Sequence, residues 1–156
     1  MTLHDATGNS EASALPLTVD DLTADWLQSA MADVLQGETI KEFSPEIIGV
    51  GAGFMGQLAR VSLVYSNDST DAPKSVIAKF ASTKPETREM ARDQNLYQRE
   101  IGFYRDIGQA AGVPVPHCYY SAIREDSNHF AMLLEDLAPG IPSDQVQGTD
   151  RDTSRE

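Results

Sequence analysis

Apolar residues change their period along the chain, and each change marks an element. In LTADWLQSAMADVLQG, residues 22–37, Trp26, Leu27, Ala30, Met31, Val34 and Leu35 recur at helical spacing on one face. Thr23 can cap this short helix, Asp25 suits its first turn and Gly37 can end it. Residues 43–66 read as strand, glycine turn, strand. In the second strand Ala59, Val61, Leu63 and Tyr65 alternate with Leu58, Arg60, Ser62 and Val64, a period of two with a β-branched and aromatic bias. VIAKF, at 76–80, is a third strand after the turn-like SNDSTDAPKS. A long helical stretch is expected from about Pro85 to Gly108, and AAGVPVP breaks it. HCYYSAI and HFAMLLEDL are two further strands, with REDSN as their hairpin turn.

Helix, three strands, helix, two strands is the order of an antiparallel meander, not of a βαβ alternation. The fold class expected is α+β, a five-stranded antiparallel sheet with one long packed helix and a short N-terminal helix. Four segments are expected: a disordered leader over 1–14, an N-terminal helix segment over 15–37, the sheet-bearing body over 38–142 and a polar stretch over 143–156.

Composition narrows the partners. The chain has 156 residues, 40% of them hydrophobic, and a net charge of −12, which opposes binding to a phosphate backbone and argues against nucleic acid. Cys118 is the one cysteine, so no intrachain disulfide can form, and its apolar surroundings point to a buried structural thiol. MTLHDATGNSEASALP has neither the basic region nor the apolar core of a signal peptide, and no apolar run approaches membrane-spanning length. A cytoplasmic protein with no membrane partner is the expectation.

Gly51, Gly53 and Gly56 carry the G-x-G-x-x-G spacing. In a dinucleotide-binding fold such glycines open a helix, whereas here they open a strand. Gln57 stands where a Walker A loop needs its lysine. Strand, glycine turn, strand is the arrangement in which a hairpin offers backbone N–H groups to ATP phosphates, although an ordinary hairpin turn also accounts for it. Alternation puts Ile77 and Lys79 on one face of VIAKF, with Val76, Ala78 and Phe80 on the other. Lys79 then fits a phosphate-binding lysine, the alternative being a solvent-facing lysine on an edge strand. At about 100° per residue, Leu96, Tyr97, Ile101, Phe103, Tyr104 and Ile107 cover one arc of the long helix, and Glu100 falls inside it. A carboxylate facing a core needs a partner, and Lys79 is the economical one. The alternative is a Glu100 that bends out to water.

With these residues, the chain resembles the N-terminal lobe of the kinase-like phosphotransferases, near the aminoglycoside phosphotransferase and choline kinase relatives and particularly the ecdysteroid kinase-like branch. GAGFMGQLARVSLVY, SVIAKF, YQREIGFYRDIG, VPVPHCYYS and FAMLLEDLAPG carry the likeness by their order and spacing. The resemblance implies a protein-kinase-like fold in which Gly51, Gly53, Phe54, Met55 and Gly56 cover the phosphates of ATP, Lys79 binds them and Glu100 positions Lys79. LLEDL would be the hinge between lobes. There the backbone of Glu135 to Leu137 would bond adenine, Ile77 and Leu134 would pack near its ring, and the side chains of Glu135 and Asp136 would have no acid–base role.

The family pattern also requires an H-x-D-x-x-x-x-N-like loop for the catalytic base and a later aspartate for Mg²⁺, both in a C-terminal lobe, and nothing after Leu137 supplies them. No catalytic or metal residue is therefore assigned. His4, Asp5 and Asn9 lie on the wrong side of the glycine turn, Asp150 and Asp152 read as solvated charges, and His117 and His129 lack further ligands at metal spacing. The function expected is the nucleotide-binding lobe of a small-molecule kinase, the acceptor being a small molecule met by the complete protein. A non-catalytic nucleotide- or protein-binding module is one rival. A dinucleotide-binding oxidoreductase fragment, which needs a helix at 57–65, is another.

Overall fold

The computed structural model describes residues 14–49, 55–67, 71–110, 112 and 114–139. The expected leader apart from Ala14, the residues Gly51, Gly53 and Phe54, and the polar stretch over 143–156 lie outside the described residues.

The N-terminal helix begins where its cap was expected. The Trp26 N–H donates to Thr23 Oγ1 at 3.1 Å, which satisfies one of the orphan donors of the first turn. Helix α1, Ala24–Ala30, gives way at Met31 to a single further turn, α2, Ala32–Leu35. The chain leaves through two consecutive left-handed residues, Gln36 at φ 50° and Gly37 at φ 92°, so Gly37 shares the stop with Gln36. Leu27, Met31 and Leu35 are fully buried, which fits the arc read from their spacing.

Strands β1 (Ile40–Ile48), β2 (Gly56–Tyr65), β3 (Ser75–Ala81), β4 (Cys118–Arg124) and β5 (His129–Glu135) form one sheet in the order β1-β2-β3-β5-β4, antiparallel throughout. The fold is α+β, with the five-stranded sheet expected. Because 57–65 lies within β2, which Gly56 opens, no helix follows and the dinucleotide-binding alternative falls. Strand β1 ends the sheet, carries Pro45 opposite Val61, and exposes Lys41, Glu42 and Glu46.

Alternation along the central strands builds two cores, one on each face. Ala59, Val61, Leu63, Val76, Ala78, Phe80, Ala131 and Leu133 point to the face covered by α1 and α2 and meet Trp26, Leu27 and Met31 there. Ile77, Met132 and Leu134 point to the other face, with Ala91, Tyr97 and Ile101. Each large side chain fully buried this way contributes roughly 1.5–3 kcal/mol.

The helical stretch over 85–108 is not continuous. Helix α3, Pro85–Asp93, stops at Gln94, and α4, Leu96–Gly102, starts after Asn95, whose φ is 51°. Asparagine tolerates the left-handed region better than most residues, so the polar run RDQN supplies a bend. Phe103–Ile107 then form a π-helical turn, and Gly108–Ala110 a 3₁₀ turn. The wider i→i+5 spacing turns the helix face. Ile107, expected inside the apolar arc, is consequently 55% exposed.

Candidate functional site

Lys79 sits mid-strand in β3, with Leu58 of β2 and Met132 of β5 as its cross-strand neighbours. The period of two directs it toward α4, as expected. There its Nζ donates directly to Glu100 Oε1, and the side chains are 25% and 30% exposed. Neither the solvent-facing lysine nor the outward-bent glutamate is the arrangement found. Both groups still meet solvent, which screens the pair and lets either charge survive the loss of its partner at modest cost.

The pair opens onto a cavity of ≈ 330 Å³ lined by Met55, Gly56, Leu58, Lys79, Tyr97 and Glu100, among others. This is at the small end of ligand pockets. Gly56 has a packing reason of its own: a Cβ there would lie 2.2 Å from the Phe80 carbonyl oxygen. The third glycine is thus required by the close approach of β2 to β3, whatever the turn holds.

Tyr97 completes the wall. It is 2% exposed, donates its hydroxyl proton to the Met55 carbonyl and accepts the Ser82 N–H at 3.2 Å. Burial pushes this hydroxyl's pKa up, so it stays a donor. Helical spacing identified Tyr97 only as an apolar contact. A tyrosine where phenylalanine would fill the arc equally well was the available signal for its polar role.

At the expected hinge, Ile77 and Leu134 are cross-strand neighbours on the site face, while Leu137 is 58% exposed. Glu135 has one backbone group already in use. Its N–H donates to the His117 carbonyl at 2.8 Å, and its Oε2 accepts the His117 N–H at 3.0 Å. That N–H is spent within the sheet and is not available to a base.

Asp136 has side-chain partners that its neighbours in the sequence did not announce. Its side chain is only 4% exposed and accepts Arg60 Nε at 2.7 Å, Arg60 Nη2 at 3.2 Å, Ser75 Oγ at 2.7 Å and the Ala138 N–H at 3.1 Å. The hydrogen bond from Arg60 is the main reason its carboxyl is held below the usual carboxylate range. Beyond the backbone role expected of it, Asp136 ties the segment after β5 to β2 and β3 with its side chain.

The remaining chemistry-bearing residues are structural in setting. Cys118 is half-buried, its Sγ lies 3.3 Å from the Tyr120 carbonyl, and burial raises its thiol pKa. His117 packs edge-on against Tyr119, and burial lowers the pKa of His129. No group of three or more His, Cys, Asp or Glu that could hold a metal ion occurs among the described residues, and no helix there is long and apolar enough to cross a membrane.

No curated protein and no solved structure matches the chain. A family model does match, over residues 50–140, from the glycine turn through the lysine strand and the glutamate helix to the segment after β5. That span is more than half of the 156 residues and holds every element of the site just described, so the chain belongs to the ecdysteroid kinase-like family.

Proposed function

We infer that this chain forms the ATP-binding lobe of a small-molecule kinase, one that moves the γ-phosphate of ATP to a hydroxyl acceptor. The observation that carries the reading is the direct Lys79–Glu100 pair facing a cavity beside the last glycine of the turn. In this reading the backbone from Gly51 to Gly56, with Phe54 and Met55, covers the phosphates. Lys79 meets the α- and β-phosphates while Glu100 holds it in place. Ile77 and Leu134 flank the adenine ring. The backbone of Glu135 to Leu137 would bond adenine through groups other than the Glu135 N–H, which the His117 carbonyl already holds.

The lobe proper spans 38–142, and the 15–37 segment packs on its back face. Mg²⁺ would neutralise charge on the phosphates. Its aspartate and the catalytic base are assigned to a second lobe beyond the hinge, where the small-molecule acceptor also binds. In this reading the lobe contributes positioning and charge to the reaction. Such an enzyme would work in the cytoplasm, where ATP is at hand.

Titration of the 156-residue chain with a fluorescent ATP analogue and Mg²⁺ tests this. Weak binding is expected, and Lys79→Ala should weaken it about tenfold or more, as for the loss of one charge-assisted contact. Submicromolar affinity, or affinity indifferent to Lys79→Ala, would contradict the half-site reading. An ATP-turnover assay on this chain with a panel of small alcohols should show background only.

A further inference from the structure

Two parts of the proposed phosphate site are held by the same short helix. Helix α4 carries Glu100, bonded to Lys79, and one turn earlier it carries Tyr97. The Tyr97 hydroxyl is shared between two backbone groups: the Met55 carbonyl, where the glycine turn enters β2, and the Ser82 N–H, directly after β3. Its ring is fixed against Phe130, with centroids 4.6 Å apart. The hydroxyl therefore meets the turn's base on one side and the end of the lysine strand on the other. A phenylalanine would fill the same volume and make neither bond.

We propose that Tyr97 is a positioning residue for the phosphate end of the nucleotide site, its hydroxyl fastening the base of the glycine turn in register with the Lys79–Glu100 pair. This rests on the nucleotide reading above. One hydroxyl donating to a carbonyl and accepting an amide satisfies two buried backbone groups at once, and such groups are costly to leave unpaired. Held at Met55, the entry of β2 keeps Met55 and Gly56 on the wall of the cavity that Lys79 and Glu100 share. Without that bond Met55 and Gly56 are no longer fixed against Lys79 and the phosphate end of the cavity loosens, while the adenine end, built by β5 and Ile77, is untouched.

Tyr97→Phe in the full 156-residue chain tests the proposal against both ATP–Mg and adenosine. The expected result is ATP affinity weaker by about five- to tenfold, the size of one or two lost hydrogen bonds, with adenosine affinity unchanged. Amide exchange at Ser82 should accelerate, since that N–H loses its acceptor, while the β5 amides keep their protection. Equal ATP affinity in the two proteins overturns the proposal. So does a parallel loss for ATP and adenosine, which would mark Tyr97 as a general packing residue. If the unsubstituted chain binds no ATP, or binds it with no sensitivity to Lys79→Ala, the nucleotide reading itself has failed and the proposal goes with it. That case is recognised by the Lys79 control, independently of Tyr97.

Discussion

On the face of the sheet covered by α1 and α2, the buried positions are hydrocarbon and aromatic, and Val76, Ala78 and Phe80 of β3 are wholly inaccessible there. On the face covered by α3 and α4, the intervening residues Ile77 and Lys79 remain partly open, and an ion pair and a tyrosine hydroxyl interrupt the packing. The same seven-residue strand serves both faces. Period-two geometry lets one side be optimised for packing without constraining the chemistry of the other. Polar groups and a cavity on the site face cost stability, and the continuous apolar core on the back face offsets that cost. Stability should therefore respond mainly to one face and ligand affinity to the other.

The strongest perturbation of this division is Trp26→Ala. Trp26 is 4% exposed and packs edge-on against Tyr120, with ring centroids 5.0 Å apart. Its truncation should destabilise the fold by about 3–5 kcal/mol, read as a lowered urea midpoint. Affinity of the molecules that remain folded for the ATP analogue should stay within about twofold, since a change below about 0.4 kcal/mol is what an untouched site allows. A loss of affinity with an unchanged midpoint would break the comparison.

An intermediate effect is expected in alkali, again from the back face. The Tyr65 hydroxyl donates to the Pro73 carbonyl at 2.6 Å, and burial is the main cause that pushes its pKa up to about 12. The unfolded chain releases this proton near pH 10, while the folded chain retains it. The contribution of Tyr65 is thus fully present below about pH 10 and is lost as pH rises toward about 12. The decline attributable to this one proton is at most about 1.4 kcal/mol per pH unit. Urea midpoints followed over that range should fall less steeply in Tyr65→Phe than in the unsubstituted chain. Parallel slopes would show that Tyr65 is not the group responsible.

The smallest stability effect is expected from Glu100→Gln on the site face. Both members of its ion pair are partly exposed, so the change in stability should stay within about 1 kcal/mol. Affinity for the ATP analogue should nevertheless fall severalfold, because Lys79 loses the charge that aims it. A larger effect on the urea midpoint than on affinity would mean that the pair serves the fold first.

The sequence made legible what depends on local periodicity. Alternation placed Lys79 on the site face, and about 100° per residue placed Glu100 toward it, so the two met as expected. Thr23 announced its helix through cap chemistry that acts over three residues. Asn95 escaped because one left-handed residue in a polar run leaves the hydrophobic pattern intact while bending the helix. Ile107 was displaced by a π turn that no spacing rule signals. Asp136 and Tyr97 escaped for a different reason. Their bonds reach Arg60, 76 residues away, and Met55, 42 residues away, and such pairings exist only once the sheet is assembled. Their residue types were visible in the sequence, and their partners were not.

Strand β1 carries a consequence for how copies of the protein meet one another. An open sheet end is a template on which a second molecule can continue the ladder, and growth of that kind leads to fibrils. Here the template is poor. Pro45, near the middle of β1, has no N–H to offer an incoming strand, and Lys41, Glu42 and Glu46 would bring charge to the junction. Concentrated solutions of this protein should therefore be spared strand-by-strand growth from the β1 end, even though the sheet never closes on itself.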